Sequence, residues 1–515
     1  MSRIADKAEV GRTKRTRRWL LTRVVFQVDV LVQDASEILL LIRSRSDSLL
    51  APINRIPSEI LALIPDSWDL DHKDRWTIRL THVCRAWRDI FISRSSLWGD
   101  FYRRDEDKTW VYLERSKSFP INVTLIRSHD LSPDDPLLQI VPHAIGRLKS
   151  LYVGTTPGSF PDIISRLSLP APLLEDLTID GGYVYSPQWN PVLTPALFNG
   201  DLSSLRELHL LSVRTKLPWR DMANLTSFTL VSTSQGEVSV GRLLDFFESA
   251  PRLREVFLHY ATPTSSAQNG RLLSLSCLKR MEIIGDGPSS LLLDHLLIPV
   301  GAKLTTQVDS LGPLIEDHLP KSLDNLRNLS GFTDIHLYAA GRYPRVQFSG
   351  LNGKVTMNSV ARTDTTHVAL KSLARFDTSK VERLEINCND ILSRDPPYQM
   401  LLPMEGLRTL MLSHSRSSHG FIAALHPNTS SLEVAVCPEL EEFVLAFPID
   451  RETFDMKDIV GMAADRASRG MKLKSVGIVN HDEVMQIDSS ELERHVLHVK
   501  YGLDVEYDNT SDEES

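Results

Sequence analysis

Apolar positions along the chain follow three successive periodicities. Between residues 19 and 50, Leu21, Val24, Val28, Leu31, Ala35, Ile38 and Ile42 recur at alternating steps of three and four. On a helix this spacing lines up one apolar stripe with the register of a heptad seam. The run VVFQVDVLV within it is rich in β-branched residues and also alternates as a strand would. Helix is the preferred reading, with the stripe either packed on the domain that follows or paired with another helix.

The second regime, residues 51–101, divides into three short helices. Pro57 suits a first helical turn, where its missing N–H costs nothing, and Glu59 lies near the positive end of the dipole. Ile60, Leu63 and Ile64 fall on one face, and Pro65 stops the helix after barely two turns. The polar DLDHKD is a loop. A second helix is expected from about Arg75 to Phe91, with Trp76, Leu80, Val83, Trp87 and Ile90 in one stripe and Arg79, Arg85 and Arg88 in water. Leu97 and Trp98 follow a serine-rich turn. A unit this small buries only a modest core, and these helices carry more large apolar side chains than they can hide. Surplus exposed aromatic surface marks a partner site.

From 105 to 480 the pattern becomes a degenerate repeat, apolar-x-x-apolar-x-apolar. It begins with LKSLYV at 148, LEDLTI at 174, LRELHL at 205, LTSFTL at 225, LREVFL at 253 and LKRMEI at 278. It resumes with FTDIHL at 332, VERLEI at 381, LRTLML at 407, LEEFVL at 440 and LKSVGI at 473. This is the leucine-rich-repeat signature, in which each unit supplies one short strand with its alternating apolar residues inward. The intervals of 54 and 49 residues after 278 and 332 are each about two periods, so one poorly matching unit is expected inside each. Segments such as GRLLDFFESAPRL and SSLLLDHLLIP return over the convex side. Pro172, Pro251, Pro403 and Pro438 help end the returns. A first strand is expected in FPINVTLI at 119–126, after a helical stretch around Trp110 and Leu113.

IPSEIL, then VCRAWRDI, then SLW, in this order and at this spacing, resembles the F-box, specifically that of basidiomycete fungi. The resemblance implies docking on the small Skp-type adaptor that links F-box proteins to a cullin ubiquitin ligase. By motif position, Ile56, Pro57, Glu59, Ile60, Leu63 and Ile64 correspond to the adaptor-facing first helix. Val83, Cys84 and Trp87 correspond to the second block, and Leu97 and Trp98 to the third, the set dividing between core and contact. Where the family often reads Ile-Phe after the first helix, this chain reads Ile64-Pro65, which shortens that helix.

Composition narrows the remaining choices. The chain has 515 residues, 42% hydrophobic and 24% charged, with a net charge of −8, which argues against a surface given over to nucleic acid. Cys84, Cys277, Cys388 and Cys437 are scattered, with neither disulfide nor zinc spacing, as in a reduced cytosolic or nuclear protein. The run Trp19 to Val32 is broken by Arg23, Gln27 and Asp29, so it does not span a bilayer, and it lacks a cleavage site for secretion. The sequons at Asn122, Asn224, Asn328, Asn428 and Asn509 therefore carry no weight. Residues 1–18 form a basic tail around GRTKRTRR, and the 481–515 segment ends in an acidic tail; both read as disordered and solvated. An import signal or a nucleic-acid contact is the alternative use of the basic cluster.

Motifs for catalysis are sparse. Gly285-x-Gly287 after MEII superficially matches a dinucleotide turn, but Ser290 stands at the third glycine and a repeat turn is the better account. His414 and His419 in SHSRSSHG read as solvated loop histidines beside a strand. Nucleophile elbow, phosphate loop and paired metal-ligand spacings are missing from the sequence. The expectation is an α/β chain: a three-helix F-box, then a curved leucine-rich-repeat solenoid with a parallel concave sheet. Its expected role is a non-catalytic adaptor with no cofactor and no catalytic or metal residue. Its expected partners are the Skp-type adaptor and a protein substrate on the concave face, with neither membrane nor nucleic acid involved. A plain interaction scaffold is the alternative, and an enzyme using a repeat-derived cleft is the third reading.

Overall fold

The computed structural model describes residues 27–42, 56–67, 76–102, 106–126, 136–154, 160–182, 192–193, 197–215, 222–231, 238–261, 263, 270–308, 318–338, 345–351, 353–359, 373, 375–387, 395–413, 415–426, 435–446, 456–479 and 490–501. The chain divides into two compact units, Met1–Trp98 with Arg115–Lys117, and Gly99–Glu114 with Ser118–Ser515.

In the first unit, residues 27–42 form helix α1, exposed along its whole length. Val28, Leu31, Ala35, Ile38 and Ile42 of the heptad stripe all lie in solvent, while Leu21 and Val24 fall outside the described residues. Helix α2, Ser58–Leu63, begins one residue after Pro57, whose carbonyl accepts from Ile60 N and Leu61 N at 3.0 Å. It passes into a 3-10 turn, Ile64–Ser67, where Pro65 is buried.

The single helix expected from Arg75 to Phe91 is in fact two, α3 over 76–80 and α4 over Arg85–Ser93. The break lies at Thr81–Val83 and has a local cause. Thr81 Oγ1 donates to Ile78 O at 2.7 Å, His82 N to Arg79 O at 2.9 Å and Val83 N to Leu80 O at 3.3 Å, tightening the last turn of α3. Cys84 is then fully extended (φ −156, ψ 174) and starts α4, with Arg88 N donating to its carbonyl. Arg88 Nε donates to Thr81 O at 2.9 Å and so satisfies a carbonyl that the break frees. A 3-10 turn, Ser95–Trp98, follows.

The second unit is built on one seventeen-stranded, mostly parallel sheet. Its strands are β1 (Asp100–Tyr102), β2 (Ile121–Ile126), β3 (Leu148–Gly154), β4 (Asp176–Asp180), β5 (Glu207–Leu211), β6 (Ser227–Val231), β7 (Glu255–His259), β8 (Arg280–Gly285) and β9 (Lys303–Val308). They continue as β10 (Asp334–Tyr338), β11 (Arg345–Gly350), β12 (Gly353–Ser359), β13 (Arg383–Asn387), β14 (Thr409–Leu412), β15 (Glu442–Ala446), β16 (Ser475–Val479) and β17 (His498–Tyr501). Helices α5 (Glu106–Ser116), α6 (Pro136–Ala144), α7 (Phe160–Arg166), α8 (Val240–Ser249), α9 (Ser290–Leu293), α10 (Asp395–Leu401), α11 (Ser415–Leu425) and α12 (Met456–Ser468) lie between strands.

Every repeat read from the sequence supplies a strand, starting at its first or third position. The same turn precedes most of them: Leu174 N donates to Ala171 O, Leu205 N to Leu202 O, Leu253 N to Ala250 O and Leu407 N to Met404 O. The first apolar residue of most units thereby closes a turn. The next two, as Leu177 and Ile179 in β4, point into the core, and the residues between them stay half-exposed. Consecutive strands β1 to β9 pair side by side in parallel.

The two long intervals resolve differently. The first holds β9, one parallel strand, as expected. The second holds an antiparallel hairpin instead of a repeat, and the spatial order becomes β9, β12, β11, β10, β13, with β12 parallel to β9 and β10 parallel to β13. The sheet is therefore not wholly parallel. A two-residue connection between Gly350 and Gly353 is possible only between antiparallel strands. Gly353 has φ +140, and a Cβ there would meet Ala302 O at 2.7 Å, so both conformation and space require glycine. The sheet also runs past residue 480, since β17 pairs in parallel with β16.

Candidate functional site

Two surfaces, one in each unit, carry the features that function requires. In the first unit, the expected contact residues separate by burial. Ile60 (53%), Leu63 (55%) and Val83 (57%) are exposed, as are Pro57 and Glu59. Ile56, Ile64 and Cys84 are half-buried, whereas Trp87, Leu97 and Trp98 are buried. Trp87 meets Phe91 edge-on at 5.7 Å between ring centroids. Trp98 Nε1 donates to Phe91 O at 2.9 Å, and the Arg115 guanidinium lies 4.4 Å from a Trp98 ring centroid. These three residues stabilise the fold from inside.

Trp76 behaves differently from its place in the expected stripe. The break at Thr81–Val83 takes it off the buried face of Trp87, and it is 41% exposed with Arg79 stacked 4.9 Å from its ring. Sequence periodicity assigned Trp76 to a core stripe because it assumed one continuous helix. The signal against that was Thr77 and Thr81, whose hydroxyls compete with helical hydrogen bonds.

In the second unit, the half-exposed strand positions form an open face whose charge changes along the sheet. Across β1 to β7, the described half-exposed or exposed strand positions hold Asp100, Asp176, Asp180, Glu207 and Glu255 against a single base, Lys149, which lies 3.7 Å from Glu175. Tyr102, Tyr152 and Phe257 share that face. The Tyr152 phenol is pushed above its ordinary pKa by burial and by the Asp180 carboxylate it hydrogen-bonds. Next, β8 to β12 hold the bases Arg280, Lys303, Arg345 and Lys354 and the acids Glu282 and Asp334, with Arg280 3.2 Å from Glu282. From β14 to β16 the same face turns apolar and buried, at Met411, Val444, Ala446 and Val479. Strand β16 is buried at all its positions, the pattern of a parallel strand covered on both faces.

Three histidine–carboxylate pairs cross the open face between or along strands. His259 Nε2 and Glu282 Oε1 are 3.0 Å apart, as are His336 Nδ1 and Glu385 Oε2, and His209 Nε2 lies 3.8 Å from Glu207 Oε2. The histidine hydrogen bonds hold the Glu282 and Glu385 carboxyls below the ordinary carboxylate value, against the opposing effect of burial. The sequence reading made nothing of these groups. All but His259, which directly follows LREVFL, occupy an x of the L-x-x-L-x-L pattern, which is where the signal lay.

Gly285 ends β8, inside the sheet, and the following α9 is a single turn, so no phosphate-binding helix start is built there. His419 lies in helix α11 rather than a loop, 3.3 Å from Asp458, and His414 is outside the described residues. A cavity of about 350 Å³ at the start of β10, β13 and β14 is lined by Thr333 and by the mutually compensating charges of Lys380, Glu382, Arg408 and Glu439. Among the described residues, no helix is long and apolar enough to cross a membrane.

The described cysteines differ sharply in environment. Cys437 is buried, with Sγ 3.5 Å from Leu401 O, and burial pushes its thiol up to about 12. Cys277 is exposed and Cys84 half-buried, while Cys388 is outside the described residues. Brief alkylation of the native protein is expected to label Cys277 and spare Cys437 until denaturant is added, because the thiolate is the nucleophile. Peptide mapping by mass spectrometry reads this directly; early labelling of Cys437 would contradict its packing.

No protein-family model matches this sequence, and the search of curated proteins returned no match.

Proposed function

We propose that the chain is the substrate-recognition subunit of a Skp–cullin–F-box type ubiquitin ligase. In this reading the small helical unit docks on the Skp-type adaptor. The seventeen-stranded sheet is the concave surface of a leucine-rich-repeat solenoid and holds a protein substrate. The observation that carries it is the exposure of Ile60, Leu63, Trp76 and Val83 on or between the short helices α2 to α4, within or beside the F-box-like blocks. Water-exposed side chains of this size, so concentrated, become favourable when a partner covers them. The strand at each L-x-x-L-x-L and the turn before most of them support the repeat reading.

The mechanism is proximity. One chain joins the adaptor-binding unit to the substrate-binding sheet, so a substrate lysine is held at high effective concentration near the charged conjugating enzyme. No bond is made or broken by residues of this chain. Substrate selection falls to the open face, where an acidic stretch with interleaved aromatics adjoins a basic one. A field of this kind steers a partner of complementary charge and fixes its register.

Burial of Trp87, Leu97 and Trp98 favours a second reading, in which the F-box-like unit is a structural remnant of an interaction scaffold. Co-expression with a Skp-type adaptor and affinity capture separates the two. The proposed function requires capture by the full chain and its loss on deleting residues 52–101. Equal recovery of adaptor with and without those residues, or none with either, leaves the scaffold.

A further inference from the structure

We propose that Asp176, Glu207 and His209 form a binding site for a divalent transition-metal ion, zinc in the first instance, on the open face of the sheet. The three are brought together by strand register alone. Asp176 of β4 is the direct partner of Glu207 on β5, and His209, two residues further along β5, returns to the same face. One ligating atom from each lies within 4.8 Å of the other two.

Neighbouring strands orient two of the three ligands. Ser150 Oγ on β3 donates to Asp176 Oδ2 at 3.0 Å, which fixes the carboxylate and leaves Oδ1 as its unengaged oxygen. That oxygen is shielded from solvent and has no hydrogen-bond partner, a state that is unfavourable for a carboxylate unless a cation meets it. On β6, Thr229 Oγ1 lies 2.8 Å from His209 Nδ1. With Nδ1 as the donor, the Nε2 lone pair is left free on the side of Glu207, the arrangement by which outer hydrogen bonds prepare a histidine ligand.

Distances and charge agree with an ion rather than with a simple pair. His209 Nε2 and Glu207 Oε2 are 3.8 Å apart, too far for a hydrogen bond. Two ligands each about 2.0–2.1 Å from a tetrahedral zinc stand about 3.4 Å apart, and the exposed Glu207 side chain closes the difference. Carboxylates directly opposite one another on adjacent strands repel, and the one described Lys or Arg within β1 to β7, Lys149, lies 3.7 Å from Glu175, so another cation is needed to offset them. A dication does so. One imidazole with two carboxylates suits zinc, cobalt or manganese better than calcium, and three protein ligands leave a coordination position for a partner's side chain. The inference stands apart from the adaptor reading, since it concerns the second unit alone.

The test uses the full chain stripped with chelator and titrated with Co²⁺ as an optical probe, with Zn²⁺ as competitor. One equivalent with visible d–d absorption, displaced by Zn²⁺ and unaffected by Ca²⁺, is the expected result. That equivalent must disappear in Asp176→Asn and in His209→Ala, and weaken roughly tenfold in Thr229→Val, where only the orienting partner is changed. Circular dichroism verifies that each variant is folded. Stoichiometry and affinity identical in wild type and all variants would mean an adventitious ion on other histidines only, and absence of binding would equally overturn the site.

Discussion

Replacing Arg466 with methionine is expected to lower the free energy of unfolding by about 2–4 kcal/mol, although Arg466 touches no candidate binding surface. Arg466 lies in α12 and is completely buried. Its Nη1 donates to Val436 O at 3.0 Å and its Nη2 to Cys437 O at 2.7 Å. Cys437 is one of the few non-glycine residues with positive φ, at 48°, and its carbonyl also accepts from Leu440 N in the turn that launches β15. The guanidinium thus fastens a strained turn to the helix that returns over it. Burial lowers the Arg466 pKa, yet an arginine remains charged. Methionine keeps most of the aliphatic volume, so the loss isolates the two guanidinium hydrogen bonds, the Cys437 carbonyl keeping only its bond from Leu440 N. Lysine carries its three donors on one nitrogen, so it does not reproduce the guanidinium fork and is expected to fall between the two. Urea titration followed by circular dichroism reads the order wild type, Arg466→Lys, Arg466→Met. A methionine variant within about 0.5 kcal/mol of wild type would show that water or another group satisfies those carbonyls.

The repeat was legible because its physical cause is local. L-x-x-L-x-L places two inward residues two apart on a strand and a third at the close of the preceding turn, so that LEDLTI at 174 or LRTLML at 407 specifies turn and strand together. The hairpin of β11 and β12 was not legible as such. Its VQFSG and KVTMNS runs alternate as any strand does, and whether neighbours pair in parallel is decided by the length of the connection between them. Gly350 and Gly353, three apart, were the available sign. Helix α3 and the loss of the long second helix follow the same logic, since periodicity continued through Thr81 to Val83 while side-chain hydroxyl bonding ended the helix there.

The candidate surfaces were legible in outline only. Motif position located the helical unit, but it could not divide contact from core, because Trp87 and Ile60 are equally apolar and only packing separates them. On the sheet, sequence placed Asp176, Glu207 and His209 at outward positions of two repeats. What it could not supply was the pairing of those repeats in register, which depends on the exact length of the return between them. Interactions between neighbouring repeats, the Ser150–Asp176 and His259–Glu282 contacts among them, are invisible for the same reason.

Double replacement of Ile60 and Leu63 by aspartate is expected to abolish capture of the Skp-type adaptor while leaving the thermal unfolding of the chain almost unchanged. Both side chains are more than half exposed in the free protein, so aspartate enters water there and shifts stability by no more than about 0.5 kcal/mol. In a complex the same positions are desolvated against an apolar partner, where losing two anchors and burying two charges is unfavourable by about 3 kcal/mol or more, at least a hundredfold in Kd. Trp87→Ala also abolishes capture, but for another reason. Trp87 is buried and packs edge-on against Phe91, and truncating a buried tryptophan is unfavourable by about 3–5 kcal/mol. A helical unit with so small a core does not withstand that loss, so this variant unfolds locally and becomes sensitive to protease within residues 76–98. Val83→Asp, at another exposed position of the same unit, groups with the first pair if one continuous partner covers both helices. Limited proteolysis beside adaptor capture distinguishes these outcomes. Adaptor capture undiminished by Ile60→Asp with Leu63→Asp would remove α2 from any partner interface and return the unit to a purely structural role.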